Sequence, residues 1–122
     1  MIGWLLFLAA GAADTCGDKP NQTAMTMCEK AVADRADAEM NLAWKQVYPA
    51  MQRLDRVQEP GFAAALLASQ RAWIAFRDAE CRIESYESRG GSMQPFTENQ
   101  CRAEITRTRT RQLRMMLDWT KR

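Results

Sequence analysis

A chain of 122 residues can form one domain around one hydrophobic core. Its formal net charge is only +2, it has four cysteines, and it has no histidine, which excludes histidine-based acid–base chemistry and histidine-containing zinc sites. The charge is uneven, with seven cations against two acids over residues 101–122. A nucleic-acid surface is one account of that excess, but a solvated basic face near a helix C-terminus is simpler and agrees with the dipole. No nucleic-acid partner is expected.

In chain order, residues 2–13 are an apolar run ending in small residues, shaped like a secretory leader although no Lys or Arg precedes it. The run is shorter than the roughly 20 apolar residues that a bilayer span requires. Residues 1–13 are therefore expected to be a signal-like leader. Residues 14–122 are expected to be a single domain, periplasmic or secreted, with no stable membrane span in its mature form. The approach Ala13-Asp14-Thr15 to Cys16 argues against a lipid anchor.

The first helix is expected to start near Asn21 or Thr23, after Pro20. Met25, Cys28, Val32, Ala36, Met40, Ala43, Val47, Met51 and Leu54 recur at three- and four-residue steps and define its apolar face. Asp37, Asn41, Trp44 and Tyr48 form a second stripe beside it, so this long helix is read as central. Pro49 is expected to kink it or to cap its first part. Asn21-Gln22-Thr23 matches a glycosylation sequon, but an N-cap accounts for it more simply.

The second helix follows "QEPGF", with Ala63, Leu66, Leu67, Gln70, Trp73, Ile74, Arg77 and Cys81 on its core face and Phe76 off it. It is expected to end before "RGGS", where Gly90 and Gly91 can take left-handed backbone. The third helix is expected to begin near Thr97, with "TENQ" as a capping box. Its shared face is Cys101, Ile105, Arg109, Gln112, Leu113 and Met116. Strand signals are nearly absent. The expected fold is all-α, a three-helix bundle or helical hairpin with a long central helix.

An even cysteine count behind an export-like leader reads as two disulfides. Cys81 falls late in the second helix and Cys101 early in the third, and Cys16 lies in the coil before Cys28. These positions favour Cys16–Cys28 and Cys81–Cys101, while the other two connectivities remain open. The spacings contain no C-x-x-C. Met25, Met40, Met51 and Met116 sit at core spacing, so packing outweighs a copper site. No metal or cofactor is expected.

Gln70, Arg77 and Arg109 fall on faces that should be apolar, as does the pair Asp37 and Asn41. A buried guanidinium must be paired and hydrogen-bonded, or its desolvation costs several kcal/mol. Asp37 and Asp78 are the candidate counterions; Asn41, Gln70 and Thr106 are the candidate neutral partners. Arg77 or Arg109 could form a two-point pair with Asp37 across helices. The structural reading is a polar clasp that fixes helix register. The catalytic reading uses Asp37 with Asp78 as a carboxylate pair, but arginine neighbours oppose the raised pKa such a pair needs. The chain is not expected to be an enzyme.

The segments Gln70-x-x-Trp73-x-x-x-Arg77-Asp78-x-x-Cys81 and Cys101-x4-Thr106-x-x-Arg109-x-x-x-Leu113, in this order, resemble the lysozyme inhibitor LprI family. The likeness runs from about Cys16 to Leu117. It departs mildly where Met40-Asn41 is followed by Trp44 rather than by tyrosine. The resemblance implies a small exported helical domain and, for some members, inhibition of lysozyme. It supplies no catalytic motif. The expected partner is thus a protein, lysozyme or another envelope protein, and the alternative function is a structural or adaptor module without inhibition. Animal lysozymes are basic and cleave with two carboxylates in a cleft. Acidic residues at 29–39 and 78–87 offer one complementary face. Arg89 in the "SRGGSMQ" loop offers the other route, a cation entering the cleft, which makes Arg89, Gly90, Gly91 and Ser92 the candidate contact.

Overall fold

A computed structural model describes residues 15–122, so the leader expected over residues 1–13 lies outside the described residues. Three α-helices account for most of the described chain: α1 (Gln22–Val57), α2 (Phe62–Glu84) and α3 (Gln94–Trp119). Short 3-10 turns at Cys16–Asp18 and Ser85–Ser88 precede α1 and follow α2. No strand occurs among the described residues. Short connections make α2 antiparallel to both neighbours, and α1 and α3 consequently run parallel. The expected all-α, three-helix architecture with a long first helix is therefore correct.

Asn21 is the N-cap of α1; its Oδ1 accepts from the Ala24 amide at 2.8 Å. The helix continues through Pro49 rather than ending there. Lys45, whose carbonyl loses its helical donor to the proline ring, is exposed to water. Val47, Ala50 and Met51, buried on either side of the proline, hold the helix together across it.

The start of α2 is fixed by a residue that the periodicity did not single out. The Asp55 carboxylate accepts from the amides of Gly61, Phe62 and Ala63 at 3.0, 2.8 and 3.2 Å. It thus satisfies from across the turn the orphan donors of the first helical turn. Gly61 has φ of 140°, which a side chain would strain. Burial raises the Asp55 pKa, the amides of Phe62, Ala63 and Gly61 lower it, and the net value lies below the ordinary 3.8.

The third helix departs from expectation. It begins at Gln94, with Pro95 in its first turn, so Thr97 is already helical and donates its amide to the Met93 carbonyl. The capping box at Thr97–Gln100 does not form, because proline is tolerated in a first turn and moves the start forward. Gln94 instead turns its side chain back, accepting from the Gly90 amide at 3.1 Å. Of the two glycines, only Gly90 is left-handed, with φ of 78°.

The apolar core is divided along the bundle. Met40, Ala43, Val47, Met51, Leu66 and Leu113 centre one cluster, with Trp44, Tyr48, Trp73 and Met116 packed at its edge. Cys16, Val32, Ala33, Phe96 and Ala103 form the other, joined by Met25 and Cys28. The methionines at core spacing therefore fill space, as expected. Ile74 does not join them. It is 40% exposed, because α2 buries only the narrow stripe through Ala63, Leu66, Gln70 and Cys81.

Both favoured disulfides are present, Cys16–Cys28 and Cys81–Cys101, each with Cα atoms 5.5 Å apart. The first ties the leading coil to α1. The second closes the connection between α2 and α3, and by restricting the unfolded chain each contributes roughly 3 kcal/mol.

Candidate functional site

Polar residues occupy the belt between and beside the two apolar clusters, and they sort into two groups around Trp73. In the first, Asp37 of α1 divides its oxygens between two helices. Oδ1 accepts from Arg77 Nη1 of α2 at 3.2 Å, and Oδ2 accepts from Arg102 Nη2 of α3 at 2.8 Å. One carboxylate thus joins all three helices. Arg77 Nε also reaches Asp78 Oδ1 at 3.0 Å, from a carboxylate that is itself half in water. Arg102 Nη1 donates to Asn99 Oδ1 at 3.1 Å.

In the second group, Arg109 is buried at 5% exposure and has no carboxylate within ion-pair distance among the described residues. Its three nitrogens are met by neutral acceptors: Nε by Gln70 Oε1 at 2.9 Å, Nη2 by Ser69 Oγ at 3.1 Å and Nη1 by Gln112 Oε1 at 3.3 Å. Burial pushes the Arg109 pKa below the usual arginine value. Gln70, buried in the α2 stripe, turns its amide nitrogen toward Met40 Sδ at 3.6 Å and its oxygen toward Arg109. Its place on an apolar face follows: it is an acceptor that a leucine could not provide.

Trp73 separates the groups and touches both. The Arg77 guanidinium carbon lies 5.1 Å from its ring centroid and that of Arg109 lies 5.9 Å away, within cation–π range. The three residues of the Gln-x-x-Trp-x-x-x-Arg stretch are therefore one arrangement.

The expected clasp residues do not all take part. Asp37, Gln70, Arg77, Asp78 and Arg109 do. Arg109 does not pair with Asp37, whose second oxygen is taken by Arg102. Asn41 is exposed, because it lies furthest round its stripe from the buried Ala36, Met40, Ala43 and Val47. Thr106 is fully buried but its hydroxyl has no hydrogen-bond partner among the described residues; its carbonyl accepts from Thr110 Oγ1. The residue missed was Arg102. It lies four residues before Thr106 and seven before Arg109, which places it on the stripe already identified.

The belt offers an ionic and hydrogen-bonded lock between helices. Its carboxylates are engaged by guanidiniums rather than open to a cleft, and the nearby sulfurs are oxidised. Glu84 approaches Cys101 Sγ at 3.0 Å, but that sulfur is in the disulfide and has no proton to give.

The loop between α2 and α3 has the opposite character. Arg89, Gly90, Gly91 and Ser92 are all exposed. Their backbone is nonetheless held: the Arg89 amide donates to Tyr86 O at 3.0 Å, Gly91 to Ser88 O at 2.9 Å, and Gly90 to the Gln94 side chain. The Arg89 guanidinium carbon lies 5.3 Å from the Tyr86 ring centroid, so an exposed cation and an exposed aromatic are presented together. The Cys81–Cys101 bond closes the base of this segment.

Comparison with known proteins adds three findings. A family model described as lysozyme inhibitor LprI matches residues 12–113. An uncharacterized protein of Rhizobium meliloti (strain 1021) is 36% identical over 109 residues, covering 84% of this chain and 78% of its own. The uncharacterized protein YecT of Escherichia coli (strain K12) is 32% identical over 106 residues, covering 80% of this chain and 65% of its own. No solved structure gives a significant match.

Proposed function

This chain belongs to the lysozyme inhibitor LprI family, and on that premise we propose that it is an exported binding protein, periplasmic or secreted, that inhibits lysozyme through the loop carrying Arg89. The observation that carries this reading is the contrast in its polar residues. The belt arginines are used up inside the bundle, whereas Arg89 is exposed on a loop whose backbone is already ordered. A pre-ordered loop loses little conformational entropy on docking, which leaves more of its contact energy for affinity. Lysozymes cleave with two carboxylates flanking the scissile bond. A guanidinium with an adjacent tyrosine ring is suited to enter such a cleft and meet those acids. The two disulfides fit life in an oxidising compartment.

The test is lysis of a peptidoglycan suspension by lysozyme in the presence of the purified, oxidised protein. The expected result is slower lysis, with Arg89→Glu weakening inhibition by about tenfold or more and leaving the melting temperature unchanged. No slowing at micromolar excess over several lysozyme types removes the reading. It would leave the second function, an adaptor module that docks on another envelope protein, to be sought by pull-down from envelope extract.

A further inference from the structure

At the end of the bundle opposite the Arg89 loop, the α1–α2 turn meets the C-terminus of α3. We propose that this end docks on the phosphate headgroups of an anionic phospholipid bilayer, a function separate from lysozyme binding. Four large apolar side chains are exposed here: Val57 at 78%, Phe62 at 36%, Met115 at 62% and Trp119 at 53%. They lie around two grooves of this end. Phe62 and Trp119 flank one cleft of about 200 Å³, floored by Met51, Leu66 and Met116. Met115 lies one turn before Trp119 on α3. Val57 shares a second groove with Leu54, Leu117 and the stem of Lys121.

Cations border this apolar end. Arg53, Arg56, Arg114, Lys121 and Arg122 are all exposed, and none forms an ion pair among the described residues. The acids nearby are fewer. Asp55 is occupied by three backbone amides, which leaves Glu59 and Asp118 as the exposed carboxylates. An apolar tip with a tryptophan, bordered by unpaired cations on long stems, matches the layering of a bilayer surface. The ring and methionine enter the boundary beneath the headgroups while the cations stay at phosphate level. An acidic protein face would satisfy the cations but would leave the four apolar side chains without matching depth. No helix among the described residues is long and apolar enough to cross a membrane, so the contact is peripheral.

The experiment is co-sedimentation of the full oxidised chain with phosphatidylcholine vesicles, with and without phosphatidylglycerol. The expected result is binding that requires phosphatidylglycerol and weakens steeply with added salt. Because each surface-bound cation contributes about a fivefold factor, Arg114→Glu with Lys121→Glu is expected to lower the partition coefficient by about 25-fold or more. Trp119→Ser lowers it severalfold. Arg89→Glu, a single charge reversal at the other end, leaves it within about twofold while weakening lysozyme inhibition by about tenfold or more, so the two functions fail separately. All three are surface changes whose fold is checked by thermal melting. Equal binding to both vesicle types, insensitivity to the Arg114/Lys121 reversal, or an equal loss with Arg89→Glu overturns the proposal. So does capture of an acidic protein by this end with no vesicle binding.

Discussion

Arg77 and Arg109 lie near one tryptophan ring and are held in opposite ways. Arg77 is partly open to water and has two carboxylates, whereas Arg109 is almost fully buried and has none among the described residues. The difference teaches that burial and ionic pairing are separate choices. A guanidinium needs its N–H groups satisfied, and amide and hydroxyl oxygens can do that without a second buried charge to desolvate. The ionic group ties three helices at a site that water reaches. The neutral group ties α2 to α3 around a guanidinium that is almost fully buried, with Ser69 and Gln112 at its exposed edge.

The largest expected effect comes from breaking the buried side. Gln70→Leu removes the Nε acceptor of Arg109 and is expected to cost about 2–3 kcal/mol in urea unfolding, the scale of a lost hydrogen bond to a charged group. The loss should change little with salt, because no exposed ion pair is involved. Asp37→Asn strikes the other side. Asp37 and Arg102 are 29% and 27% exposed and Arg77 is 13% exposed, so the cost is discounted to about 1 kcal/mol and should shrink further in high salt. A salt response that is the same for both variants would erase the distinction.

Thr106→Val sharpens the comparison from a third position. Its hydroxyl is buried on the same α3 stripe as Arg109 yet has no partner among the described residues. Replacing it with a methyl group is expected to stabilise the protein by about 1 kcal/mol. Destabilisation would mean that the hydroxyl has a partner in solution.

Asp55 provides the pH signature of a carboxylate outside the belt. Its folded pKa lies below 3.8, with burial raising it and the three amides lowering it further. Its contribution is therefore complete above pH 3.8 and is lost as pH falls through the lower folded value. The melting-temperature gap between wild type and Asp55→Ala should be full at pH 6 and should narrow below about pH 4. A gap independent of pH would show that the carboxylate charge is not what caps α2.

Much of this was legible in the residues. Helical periodicity located three helices, and the positions of the cysteines within them favoured the pairing that forms. Gln70, Arg77 and Arg109 stood out because each interrupts an apolar stripe. What was not legible depended on distance across the bundle. Which arginine reaches Asp37 is decided by side-chain reach between α1 and its two neighbours, and no stripe encodes that. Asn41 failed because a stripe gives a direction only to within a fraction of a turn. Pro95 outweighed the Thr97–Gln100 pattern because two valid start signals competed. Asp55 was invisible because it caps a helix other than its own.

The central claim is that Gln70 and Arg109 are there for each other. The most direct measurement is a double-mutant cycle in urea unfolding with Gln70→Leu, Arg109→Leu and the pair. Because removing both partners leaves no orphaned buried group, the double variant is predicted to be at least about 1 kcal/mol more stable than the sum of the single losses implies. Strict additivity, with no coupling between the two positions, would contradict the account.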